Sequence, residues 1–524
     1  MYDLVIKNGT IVDGTGKDSY TSNIGINGKK IEYIGTKELE ARQTINATGL
    51  VVAPGFIDVH THTDANFIRN KRLESKVFQG ITTEIIGNCG VSLFPSPDRD
   101  DYNVQFKKYN ESFLIGADEI NSNIRNITDF KKTFNQVKNT INCGVLIGHG
   151  ALRISIMGFE DRKPREDELN KMKELLDYEL ENGALGMSLG LTYSPGMFAE
   201  KYELIELAKV VKKHNGILTA HIRDEKKNVF ESVKEMIEIA EESDAHIHIS
   251  HLKLMGKENW GRAKDLLDII RGAINNGLNI TCDLYPYNAS NTTLMTLIPS
   301  WAQEGGISKM LERLKVQSNK LETEVTNLIE ERGGPDRIKI SDTFGIKPEY
   351  ENYYLSKLSD ELKLTPAQTV IKILTETRGN AKGIYFSMSD EDVNYILNQE
   401  EIICGSDGYG MDFKDRSENG TPHPRSFGTF PRFIRLCKEN NLSMESIIKR
   451  ITGLPAKYFG LKDIGSIEQG KYADITIFNW QKFKDTATYE NPYQKPIGLN
   501  HVIVSGEPIV LNEEFTENRS GRML

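Results

Sequence analysis

Eight short apolar or β-branched runs, several of them separated by amphipathic helical stretches, set the strongest limit on how this 524-residue chain folds. The runs lie at 56–60, 82–87, 145–149, 185–189, 217–221, 246–250, 280–284 and 401–404. Helical periodicity occupies 166–181, 202–213, 228–241 and 262–275. Strands that alternate with helices pair in parallel, because each helix supplies the crossover. Eight is the number that closes such an array into a barrel. The expected fold class is therefore α/β, a (β/α)8 TIM-like barrel over 54–464. The gap before the eighth run exceeds one helix. An insertion is expected at about 288–349 on the catalytic face, with a charged helical stretch at 309–332.

The two ends read differently. Short apolar runs broken by Asn8-Gly9, Asp13-Gly14, Asn27-Gly28 and Ser505-Gly506 describe strands and tight turns. Segments 1–53 and 465–524 are expected to build one small sheet domain, and two unrelated edge ribbons are the alternative.

Composition removes several classes of function. The 65 Lys and Arg against 74 Asp and Glu leave a net charge of −9. There is no basic excess to release counterions from nucleic acid or to seek an acidic membrane. With 38% hydrophobic and 27% charged residues the chain is neither disordered nor a membrane protein. Five cysteines, at 89, 143, 282, 404 and 437, form neither a CxxC zinc pattern nor a disulfide framework. No signal-peptide pattern opens the sequence, and no apolar run reaches the ~20 residues needed to cross a bilayer. A cytoplasmic location follows as an expectation, and oligomeric state is left open.

The chemistry-bearing residues sit at strand exits. In Asp58-Val59-His60-Thr61-His62 the two histidines at i and i+2 share a face and can grip one divalent metal. Cys89, in Gly87-Asn88-Cys89-Gly90, follows the second strand, where a thiolate suits a soft metal such as zinc. A small buried hydrophobe is the ordinary alternative for a free cysteine. His221 ends the fifth strand and His251 the sixth. Strand parity does not choose His251; its place at the strand exit does, if the backbone bends there, with His248 as the structural competitor. Asp407 follows the eighth strand in Ser406-Asp407-Gly408, a sequence that on its own reads as a turn. Metal-capable groups thus end strands one, two, five, six and eight, on the face where barrel active sites lie.

These motifs resemble the amidohydrolase superfamily and, within it, the N-acyl-D-amino-acid deacylase (D-aminoacylase) family. The resemblance spans nearly the whole chain. It rests on the run from Ala53 to His62, on Gly87-Asn88-Cys89-Gly90, Ser250-His251-Leu252-Lys253 and Asp283-Leu284-Tyr285-Pro286-Tyr287, and on the run from His423 to Arg432. The run from Gly465 to Asp474 is common across the superfamily. The resemblance implies a barrel with a small β-sandwich made from both chain ends. It implies that Cys89, His221 and His251 hold a tight Zn2+, with His60, His62 and Asp407 as a weaker second site. Asp407 would be the general base and acid toward a metal-activated water. Arg425 and Lys253 match carboxylate-binding positions of that family, with Tyr285 beside them and Tyr287 as its alternative. The fourth strand, Leu185-Gly186-Met187-Ser188-Leu189-Gly190, lacks the metal-bridging lysine of many relatives, which counts against a hydantoinase or dihydroorotase reading. The expected activity is hydrolysis of N-acyl-D-amino acids, or of dipeptides ending in a D-residue, to a carboxylate and a D-amino acid. A cyclic-amide hydrolase and a non-catalytic scaffold are the competing readings. The only expected partner is a small-molecule substrate.

Overall fold

The computed structural model describes residues 1–69, 72–120, 124–316, 318–417 and 420–524. All eight expected barrel strands are present: Phe56–Asp58, Ile81–Ile86, Asn142–Gly148, Gly186–Gly190, Ile217–His221, His246–Ile249, Ile280–Leu284 and Ile402–Cys404. They are parallel and pair in chain order. Their residues are nearly all buried on both faces, which explains runs that are continuously apolar rather than alternating. The helices Glu166–Glu181, Lys201–Lys213, Val229–Ser243 and Ala263–Asn275 cross between strands three and seven. In the third of these, Val229, Val233, Met236 and Ala240 recur at helical spacing and are buried toward the sheet. Cutting a side chain such as Met236 back to alanine would cost about 2–5 kcal/mol.

The barrel closes at the rim formed by the C-terminal ends of its strands. Strands one and eight meet beyond their ends, where Asp407 N–H donates to His60 O at 2.8 Å and His62 N–H to Gly408 O at 3.0 Å. Below them, the buried Lys76 ammonium bridges Asp58 and Glu84 at 2.9 and 2.8 Å, and Asp58 accepts from Ser406 N–H at 2.9 Å. The residues carrying His60 and Asp407 are thereby fixed to one another.

The two chain ends form one nine-stranded sheet. The C-terminal strand Ile475–Phe478 pairs with Val51–Pro54, which runs beside Tyr2–Ile11. Leu4, Ile6, Ile24, Ile26, Ile475 and Ile503 share its core. Between barrel strands seven and eight a satellite lobe has its own core and a three-stranded antiparallel sheet of Ser290–Thr293, Ile338–Asp342 and Lys382–Tyr385. Helices Gly306–Leu314 and Asn319–Glu330 fall in the charged stretch. The lobe runs past residue 349 to Tyr385, because its third strand returns to the centre of the small sheet.

Candidate metal centre

The strand exits bring two overlapping donor groups together. Cys89, His221 and His251 form one, and His60, His62, Cys89 and Asp407 the other; within each group the donor atoms lie within 4.8 Å of one another. Cys89 Sγ is 3.7 Å from His221 Nδ1, 3.5 Å from His251 Nε2 and 3.2 Å from His60 Nε2. Asp407 Oδ1 is 3.0 Å from His62 Nε2 and 3.6 Å from His60 Nε2.

The backbone bends to make this possible. Cys89, His251 and Asp407 all occupy the left-handed region, with φ of 53°, 38° and 51°. Such a conformation costs a non-glycine residue about 1–2 kcal/mol and is concentrated at functional sites. The bend at His251 turns its ring into the site against strand parity. His248 stays beneath, its Nε2 2.8 Å from Asp283 and its Nδ1 2.8 Å from Thr281 Oγ1. Gly87, at φ 78°, has no room for a side chain: an added Cβ would meet Leu146 O at 1.9 Å.

Electrostatics divide the donor set: Cys89, Asp407 and His221 are shifted toward their deprotonated forms, whereas His60, His62 and His251, although burial opposes it, are raised by the Cys89 thiolate and neighbouring carboxylates. Burial alone would raise the Cys89 thiol, but charge on His60 and hydrogen bonds from His221, His251 and His60 outweigh it and hold it well below its ordinary range. Burial would also raise Asp407, yet Arg425 and the histidines hold it far below the usual carboxylate range. His221 is lowered, chiefly by burial. Buried thiolate and imidazole donors at these separations suit zinc.

One carboxylate lies behind two of the histidines. Glu225 Oε1 is 3.1 Å from His251 Nδ1, and its Oε2 is 3.7 Å from His221 Nε2. Each ring thus turns one nitrogen toward Cys89 and the other toward Glu225. Lys253 holds that carboxylate at 2.5 Å and also reaches His251 Nδ1 at 2.8 Å. Asp283 accepts from the backbone N–H of His251 at 2.9 Å and lies 3.5 Å from His60 Nδ1. The sequence reading did not single out Glu225. Its signal was an acidic pair, Asp224-Glu225, directly after the strand that ends at His221.

A cavity opens over the centre, with His62, Cys89, His221, Asp407, Lys253, Tyr285 and Arg425 in its wall. Arg425 Nη1 lies 2.7 Å from Asp407 Oδ2, and its Nη2 donates to Asn291 O at 3.0 Å. Among the described residues the buried Tyr285 hydroxyl has no hydrogen-bond partner, whereas Tyr287 donates to Pro424 O at 3.4 Å and is not part of that wall. His149 and His423 are engaged elsewhere, with Glu203 and Ala289 O. His214 and His501 belong to neither donor group.

The Amidohydrolase family model matches residues 43–314 and 410–510. D-aminoacylase of Alcaligenes xylosoxydans xylosoxydans is 30% identical over all of this chain and 97% of its own length. N-acyl-D-glutamate deacylase of the same organism is 31% identical, covering all of this chain and 96% of its own. The crystal structure of N-acyl-D-glutamate deacylase from Bordetella bronchiseptica, complexed with zinc and a phosphonate mimic of the tetrahedral intermediate, superposes with a TM-score of 0.84. That chain is 29% identical, and the match covers 100% of this chain and 99% of that one. With barrel, two-ended sheet and donor cluster all in place, the chain belongs to the amidohydrolase family, in the branch that holds the D-aminoacylases and N-acyl-D-glutamate deacylases.

Proposed function

We propose that this protein is a zinc-dependent N-acyl-D-amino-acid deacylase. The observation that carries the reading is the convergence of Cys89, His221 and His251, the first two of which line a cavity that also has cationic side chains in its wall. Those three would hold the tight metal. His60, His62 and Asp407 would form a second, weaker position that shares Cys89. When bound, zinc supplies Lewis acidity, polarising a carbonyl and making water a stronger acid at neutral pH.

The chain's own residues do the rest. Asp407 stays ionised at neutral pH, so it accepts a proton from the attacking water and passes it to the amide nitrogen. The amine then leaves neutral rather than as an anion. Glu225 fixes the ring orientation of His221 and His251. Burial keeps Tyr285 protonated, so its partnerless hydroxyl is a donor ready for substrate. Arg425 offers a guanidinium fork to the substrate carboxylate, with Lys253 adding charge beside it.

The fourth strand offers no lysine, which disfavours the cyclic-amide reading. Among the described residues no helix is long and apolar enough to cross a membrane. Five free, buried cysteines fit the reducing cytoplasm. The test is a substrate panel: N-acetyl-D-amino acids, their L enantiomers and hydantoins. Hydrolysis confined to the D series is expected, and preferential opening of hydantoins would overturn the reading.

A further inference from the structure

The cations around the cavity differ in one respect: whether a carboxylate already answers them. Arg425 has Asp407 at 2.7 Å, Lys253 has Glu225 at 2.5 Å, and Lys226 has Glu331 at 3.2 Å. Lys382 meets neutral oxygens, Phe113 O and the Tyr409 hydroxyl. Burial lowers it to about 7, so it is not a fixed charge. Arg332 is the exception. It is only 6% exposed, it lines the cavity, its Nε has no hydrogen-bond partner, and no carboxylate pairs with it among the described residues. Its guanidinium stacks over the Tyr385 ring, 4.4 Å from the ring centre.

A permanently charged guanidinium is expensive to bury without a counter-ion. Stacking on Tyr385 offsets part of that cost and fixes the plane of the group, but leaves its donors unanswered. An anion that arrives with the substrate would answer them. Position says which anion. Tyr385 pairs in register with Ser290, and Arg425 donates to the carbonyl of the next residue, Asn291. Both guanidinium groups thus border the same short strand, Ser290–Thr293, whose residues line the cavity with them. A ligand whose first carboxylate sits at Arg425 would present a second one to Arg332 from the same amino-acid portion.

We propose that Arg332 binds the side-chain carboxylate of an acidic D-amino acid, so that the preferred substrates are N-acyl derivatives of D-glutamate or D-aspartate. The inference rests on the deacylase reading above and specifies its substrate class. A planar, bidentate carboxylate contact also explains an arginine here, since a lysine neither stacks in this way nor forks.

The test compares kcat/KM of the zinc-loaded enzyme on N-acetyl-D-glutamate, N-acetyl-D-aspartate, N-acetyl-D-glutamine and N-acetyl-D-methionine. A site built around a charged group rejects an analogue that leaves its own buried group unpaired. At least one acidic substrate should therefore exceed the glutamine derivative by roughly 30-fold or more. Arg332→Gln should bring that ratio to within about 3-fold of unity, and Arg332→Lys should restore only part of it. The affinity of the free products gives a second readout: D-glutamate or D-aspartate should bind the wild type more tightly than D-glutamine, and the difference should vanish in Arg332→Gln. A wild type that prefers methionine or treats the four alike would overturn the assignment while leaving the deacylase reading intact. So would equal losses by Arg332→Gln on acidic and neutral substrates. N-succinyl-D-alanine outrunning N-acetyl-D-alanine, with no preference among side chains, would move the second carboxylate to the acyl portion and also overturn it. Hydrolysis of no N-acyl-D-amino acid at all would remove the deacylase reading and this inference together.

Discussion

Asp407 faces two ways at once: its Oδ1 lies 3.0 Å from His62 Nε2, and its Oδ2 lies 2.7 Å from Arg425 Nη1. The same carboxylate therefore joins the metal-capable histidines to the cation that would receive the substrate carboxylate. Replacing it affects proton transfer and the pairing of Arg425 together. Asp407→Asn is expected to retain tight zinc and to lose at least ~100-fold in kcat. Zinc content measured beside turnover checks this, and near-normal turnover would exclude Asp407 as the general base.

Cys89 is common to both donor groups, so its removal should be felt by each. Cys89→Ala is expected to lose both bound zinc and activity. Metal analysis after gel filtration reads the first, and an amide-hydrolysis assay the second.

Glu225 acts through the rings it orients. Glu225→Gln should weaken zinc binding by ~10–100-fold, the usual range when a carboxylate behind a ligand histidine is lost. Competition with a chelator of known affinity measures it. An unchanged affinity, with activity lost, would assign Glu225 to substrate rather than to metal.

The arrangement around Cys89 was largely legible in the sequence, because each donor ends an apolar run. The fate of His251 was not, since parity alone sends its side chain away from the site; the φ of 38° reverses that direction. Glu225 was hidden for another reason. Its role exists only once His221 and His251, from different strands, stand side by side. The lobe's length was also obscure. Its strands Ser290–Thr293, Ile338–Asp342 and Lys382–Tyr385 are four or five residues long, too short for periodicity to declare. Arg332 could be placed in the cavity only after those strands had folded together.

Arg425 should distinguish acids from amides. A charge-assisted hydrogen bond contributes ~1.5–3 kcal/mol, so Arg425→Lys is expected to lower kcat/KM on N-acetyl-D-amino acids by roughly 10–150-fold. The corresponding amides should be poor substrates throughout and change little. Equal losses on both would assign Arg425 to the fold or to the metal site.

A buried carboxylate away from the site gives the fold a pH dependence. Burial, with a smaller contribution from Asp129, raises Glu179 to about 7, while its carboxylate accepts from Ile127 N–H at 2.8 Å. Between the ordinary glutamate value of about 4.5 and about 7 the folded state holds a proton that the unfolded state has released. Stability from this group is thus present at low pH and lost as pH rises through that window, by an amount on the order of 3 kcal/mol. Glu179→Gln keeps an acceptor for Ile127 and cannot ionise. Its Tm relative to wild type should rise between pH 5 and pH 8, and a constant difference would contradict the assignment.

Zinc held by Cys89, His221 and His251 is proposed to make this protein a D-specific deacylase. The direct measurement is titration of chelator-stripped enzyme with zinc while following release of D-amino acid from N-acetyl-D-amino acids. The stripped protein is expected to be inactive, activity to rise until it is complete near one equivalent of zinc, and the L enantiomers to release nothing at any ratio. Full activity in protein shown to be free of metal, or equal release from the L series, would contradict it.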